Sequence, residues 1–194
     1  TFALFSYNQE QFIRQAVESA FAQTYSPLEI ILSDDFSSDG TIEIMQEMVT
    51  AIGVDKVGIK LSPSVPYNSI LHSNPIEDYT YLIEKLNVLP LAYIHLMNAL
   101  FLPENGLPQY PRDVIGTLGK LTKHFLIANA GYTRETGEQE LEKGIANMIS
   151  FGVPFIANPD LPKRFEINAQ LAEADRNTFY GGNEKGYTDY PTLQ

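Results

Sequence analysis

Apolar residues in this chain fall into short runs separated by longer amphipathic stretches. Phe2–Phe5, Leu28–Leu32, Val57–Leu61, Leu91–Leu96, Phe125–Ala128 and Met148–Phe151 are runs of four to six residues, the length of strands buried in a parallel sheet. Between the first two, Glu10–Gln23 sets Phe12, Ile13, Ala16, Val17, Ala20 and Phe21 on one face at helical spacing. Thr41–Ile52 does the same with Ile42, Met45, Met48 and Val49, and Asp39 stands where it can cap that helix. Helices are predicted again over Tyr79–Leu89, Arg112–Leu121 and Thr136–Gly144, with a short one at Pro159-Asp160-Leu161. Pro111 opens the second of these, where a missing N–H costs nothing. Ala99–Gln109 is a loop, and Ser62–Asp78 is the one long irregular segment before the tail; long loops inside compact domains are usually functional or disordered. The result is an α/β chain: a mainly parallel sheet of about six βα units with right-handed crossovers, in an open sheet or an arc of a barrel.

Candidate chemistry sits at strand ends. Phe125–Ala128 runs into Asn129-Ala130-Gly131, and Met148–Phe151 runs into Gly152-Val153. Glycine lets backbone N–H groups approach a ligand, and two such turns at neighbouring strand ends, each feeding a helix, suit a phosphate. As bare glycine turns they also read as ordinary loop geometry. Lys60, near the end of the third strand, reads on its own as a lysine reaching into solvent. The turn Asp34–Gly40 reads as a solvated turn or as an acidic site after a strand. His72, His95 and His124 show no metal-ligand spacing, so no metal is expected and the three read as structural or solvated.

Charge and composition narrow the partners. A net charge of −11 over 194 residues argues against nucleic acid and anionic membrane. With no cysteine there is no disulfide or thiolate chemistry. No run approaches the roughly 20 apolar residues of a membrane span, and no signal peptide is visible, so a cytoplasmic protein is expected. The chain opens at Thr1 directly inside an apolar run, as a fragment or a trimmed chain would.

Two resemblances give these features a context. The segment LPQYPRDVIGTLGKLTKHFLIANAGYTRETGEQELEKGIANMISFGVPFIANPDLPKRF, followed by TFYGGNEKGYTDYP, closely resembles the C-terminal half of Old Yellow Enzyme-type flavin reductases, from about Asp55 to the end. That family is a TIM barrel that binds FMN and passes hydride from NAD(P)H to an activated alkene or a nitro compound. The resemblance implies that Asn129, Ala130, Gly131, Phe151, Gly152 and Val153 hold the FMN phosphate. It places Lys60 where the family has an Arg against the flavin, Val153 where many relatives carry Arg, and Tyr180 near the flavin face as the catalytic candidate. The N-terminal half of such a barrel supplies the substrate-binding His/Asn or His/His pair and the Tyr proton donor, and two chains could pair to complete a barrel.

The segment SYNQE, with Leu28–Asp35 and Ser37, Ser38 and Asp39, resembles the start of family 2 glycosyltransferases of the GT-A fold, over about the first 48 residues. It implies nucleotide contacts at Tyr7, Asp35 and Asp39. The family's later metal-binding Asp-x-Asp has no counterpart. The expected organisation is a Rossmann-like βαβα segment over 1–52, then half of an FMN-binding barrel over 53–194. The expected function is that of an incomplete FMN-dependent oxidoreductase. A nucleotide-sugar binding protein and an inactive α/β domain are the alternatives. FMN binding by the chain alone is expected to be weak or absent.

Overall fold

The computed structural model describes all of the chain except residues 1, 25–29, 35–36, 53–56, 67–71, 101, 103–106, 181–183 and 194. Six strands form one sheet: β1 (Phe2–Ser6), β2 (Ile30–Asp34), β3 (Val57–Leu61), β4 (Tyr93–Met97), β5 (Phe125–Asn129) and β6 (Met148–Ser150). Their order in space is their order in the chain, and every pairing is parallel. The first two runs are parallel neighbours, as are the last two. All strand C-termini therefore open on one edge, where the Asp34–Asp39 turn, Gly131 and Gly152 follow. The expected boundary at residue 52 lies between two paired strands of this sheet, since Ile30 is in register with Val57.

One face is covered. Leu32, Ile59, Ile94 and Leu126 stand in register across four strands, at most 5% exposed. Against them pack α1 (Ile13–Phe21), α2 (Thr41–Ile52), α3 (Pro75–Leu86) and α4 (Val114–Thr117), through Val17, Val49, Ile83 and Ile115 among others. The other face departs from the reading of buried runs. Lys60, His95 and Ile127 are half-buried there, and Phe5, Phe125 and Met148 are 74%, 45% and 48% exposed. The run length of a parallel strand does not reveal whether both of its faces are covered.

Helix ends moved for local reasons. Glu10–Phe12 make turns instead of helix: the N–H groups of Phe12 and Ile13 both donate to the Gln9 carbonyl. α3 starts at Pro75, four residues earlier than expected, because proline is well placed in a first turn. The stretch expected as a helix over Arg112–Leu121 divides into α4 and a 3₁₀ turn at Gly119–Leu121. Asp113 rather than Pro111 sets its start, accepting from Gly116 N at 2.8 Å. α5 (Arg134–Glu142) begins two residues early, behind Thr133. α6 (Val153–Ala157) and α7 (Leu161–Glu166) follow β6. A clamp then fixes the tail: buried Arg164 donates to Asp160 Oδ1, to Gln170 O and to Pro191 O, while Asp160 Oδ2 accepts from Leu193 N.

Candidate functional site at the strand ends

β5 ends in a backbone conformation that a side chain disfavours. Ala130 has φ +84° and Gly131 φ +76°. A positive φ at a non-glycine residue costs on the order of 1–3 kcal/mol and persists only where its surroundings over-determine it. Those surroundings are specific. Asn98 N donates to Asn129 O at 2.8 Å, tying the end of β4 to the end of β5. Asn129 Nδ2 donates to Ser150 O at 3.0 Å and to Ser150 Oγ at 2.8 Å, tying β5 to β6. A carbonyl can only accept, so this pairing fixes which way the Asn129 amide points.

Beyond these anchors the two turns open outward. Gly131 and Gly152 are exposed, and a Cβ built on either would meet nothing within 4 Å. Val153, 54% exposed, begins α6 directly after Gly152, and Phe151 is held edge-on against Phe165 at 5.0 Å. The α5 N-terminus is less available than the sequence suggested. Thr133 and Thr136 close it with a reciprocal capping box, so the Thr136 N–H already has a partner. The capping box thus removes the Thr133 and Thr136 N–H groups from those an anion could use.

Lys60 lies on the uncovered face, in register with His95. His95 Nε2 is 2.7 Å from Ser150 Oγ. Burial first, and then the Lys60 charge, lower the imidazole's pKa from 6.5 to about 4. His95 is neutral at pH 7. Between roughly pH 6.5 and pH 4 the unfolded chain takes up a proton that the folded chain refuses, so this residue lowers stability as the pH falls. The loss should be about 1–2 kcal/mol for a group still partly in contact with water. The check is the difference in melting temperature between wild type and His95→Gln across that window; a constant difference would contradict it. Sequence reading set this histidine aside. Its one signal was position: in β4 it alternates with buried Ile94 and Leu96, on the same face as Lys60.

The other anticipated residues lie elsewhere. Tyr180 is 90% exposed, with its ring edge-on to Phe179. Tyr7 is 44% exposed at the far end of the sheet. Asp35 lies outside the described residues. Asp39 stands one residue before the position flanking α2. It accepts from the Thr41 hydroxyl and N–H and from Glu10 N, and these bonds, Thr41's hydroxyl foremost, hold its carboxyl below the usual range. Buried Asp34 is likewise engaged, by Ser37 and Ser6. Among the described residues no group of three His, Asp or Glu side chains could hold a metal ion, and no helix is long and apolar enough to cross a membrane.

A parallel βα arc with paired glycine turns at the ends of its last two strands is the architecture of part of a βα barrel. The comparisons agree. Residues 41–172 match the NADH:flavin oxidoreductase / NADH oxidase family, and the chain belongs to it. FMN is that family's cofactor. Residues 1–62 match glycosyl transferase family 2. A 12-oxophytodienoate reductase-like protein of Solanum lycopersicum is 39% identical over 158 residues, covering 79% of this chain and 40% of the relative. Putative 12-oxophytodienoate reductase 3 of Oryza sativa subsp. japonica is 37% identical over the same length. Among solved structures, morphinone reductase superposes with a TM-score of 0.78 at 28% identity, over 95% of this chain and 55% of that one. The old yellow enzyme from Trypanosoma cruzi, at 22% identity and a TM-score of 0.79, shares the fold. The chain thus spans about 40% of its curated relatives and a little over half of those solved structures. Both resemblances in the sequence correspond to a family match, and the fold is a partial barrel of the Old Yellow Enzyme type.

Proposed function

We propose that this chain holds the phosphate end of FMN in the turns Asn129–Gly131 and Phe151–Val153, as part of an NAD(P)H-dependent cytoplasmic reductase acting on an activated alkene or a nitro compound. The observation that carries this reading is the tie between the turns: Asn129 bonds Ser150 across neighbouring strands while Gly131 and Gly152 stay open. The residues fit the group. Backbone N–H groups take the phosphate, Lys60 supplies positive charge beside the ring system, and neutral His95 adds none. Bound FMN would supply hydride transfer. In this reading Tyr180 is the candidate at the flavin face, residues 1–52 are a βαβα segment from a second family joined to a half-barrel over 53–194, and the relatives' remaining strands lie outside these 194 residues.

Affinity should be modest. Hydrogen bonds to a charged phosphate contribute roughly 1.5–3 kcal/mol each, whereas association costs an estimated 4–15 kcal/mol in lost rigid-body freedom. Lys60 replaces a planar fork with a point charge. FMN should therefore bind this chain more weakly than micromolar, yet tighter than riboflavin, with no enone reduction by NADPH. Fluorescence titration and a turnover assay check this. Equal affinity for FMN and riboflavin removes the phosphate site, and measurable turnover shows that the chain supplies the missing catalytic groups itself.

The match over 1–62 favours a second reading, a nucleotide-sugar site near Tyr7, Asp35 and Asp39. Calorimetry with UDP decides it, since heat of binding requires Asp39 to exchange its present partners. No heat with UDP and no FMN preference would leave an inactive α/β domain. Among the described residues, strands β1 and β6 each have one unpaired edge, and a largely uncovered face lies between them. These favour self-association to complete a barrel, which sedimentation at increasing concentration reads directly.

A further inference from the structure

We propose that His95, acting through Ser150, is a positioning residue that holds the two phosphate turns at a fixed spacing; the inference rests on the phosphate reading above. Three strands meet at one hydroxyl. Ser150 Oγ accepts from Asn129 Nδ2 at 2.8 Å and lies 2.7 Å from His95 Nε2. Asn129 immediately precedes the Ala130–Gly131 turn. Ser150 precedes Gly152 by two residues, at the end of a strand only three residues long. Their backbones are in register, but β6 has a neighbour on one side only among the described strands. The end of such an edge strand is the least constrained part of the sheet.

His95 supplies the second anchor. It reaches Ser150 from β4, two strands away, across the face of β5. The Ser150 hydroxyl is then held between an amide on the adjacent strand and an imidazole on the next. The Ser150 hydroxyl can accept from both Asn129 and the imidazole, or accept from Asn129 and donate to the imidazole, and a charged ring would sit beside Lys60. A chain with this brace presents the Gly131 and Gly152 N–H groups to one phosphate without first ordering β6. Without it the turns still form, but their separation varies.

The test uses the whole ¹⁵N-labelled chain, titrated with FMN and separately with riboflavin, which lacks the phosphate. Amide shifts at Gly131 and Gly152 give the affinity at the turns even when binding is weak. Ser150→Ala and His95→Leu should each weaken FMN about three- to tenfold, the loss expected for one hydrogen bond. Riboflavin affinity should not change. His95→Gln, whose amide can reach the Ser150 hydroxyl, should recover most of the FMN affinity, which a role in bulk packing would not predict. Unchanged FMN affinity in both loss variants overturns the brace, as does an equal loss for riboflavin. A wild-type chain whose Gly131 and Gly152 amides ignore FMN overturns the phosphate reading itself, a distinct signature. Should His95→Leu fail to fold, Ser150→Ala decides alone, because it removes one hydroxyl from a half-buried strand end.

Discussion

Val153→Arg should tighten FMN binding by roughly 10- to 150-fold and leave riboflavin unaffected. The figure is one charge-assisted bond to phosphate, about 1.5–3 kcal/mol, expressed as an affinity ratio. Val153 is suited to the change: it follows Gly152, opens α6 and is 54% exposed, so a longer side chain displaces nothing buried. Arginine would add a planar pair of donors to a site that otherwise relies on backbone N–H groups. Paired titrations with FMN and riboflavin measure it. A gain for both ligands would mean that arginine attracts anions or stacks on the ring, and no gain for either would place the phosphate elsewhere.

Gly58→Ala should destabilise the fold by roughly 1–3 kcal/mol, the usual range for forcing atoms into filled space. Gly58 and Tyr93 are in register on adjacent strands, and the Tyr93 ring occupies the space above the glycine. A Cβ on Gly58 would lie 2.2 Å from Tyr93 Cζ. Tyr93→Ala alone should also cost stability, through lost packing. In the double variant the clash is gone, so the two costs should add to less than their sum. Urea melts of the four proteins test this, and strict additivity would refute the contact as the cause.

What the sequence revealed depended on how far apart the informative residues lie. β1 to β6 were legible because each is a local apolar run, and α2 because Ile42, Met45, Met48 and Val49 repeat over consecutive turns. The α4 region was misjudged because Gly116 and Gly119 weaken a helix that its apolar pattern alone would allow. Asn129, Gly131 and Gly152 were visible as turn chemistry at strand ends. The part played by His95 was not, because its partner Ser150 is 55 residues further along and two strands away. No local pattern encodes that contact; it needs the sheet order first. The α5 start was placed at Thr136, two residues late, because the reciprocal bonds of Thr133 and Thr136 that set it are not visible as an apolar pattern.

The strictly sequential strand order bears on how a chain matching two families can be one fold. Register partners are never far apart in the chain, from 21 residues for Ile127 with Met148 to 35 for Gly58 with Tyr93. Sequential pairing of this kind places each βα unit beside its predecessor, without a closure between segments distant in the chain. The two family matches overlap over residues 41–62, which take in α2 and β3. Parallel pairing continues on both sides of that shared stretch, β2 against β3 and β3 against β4, so the sheet passes through it as one structure.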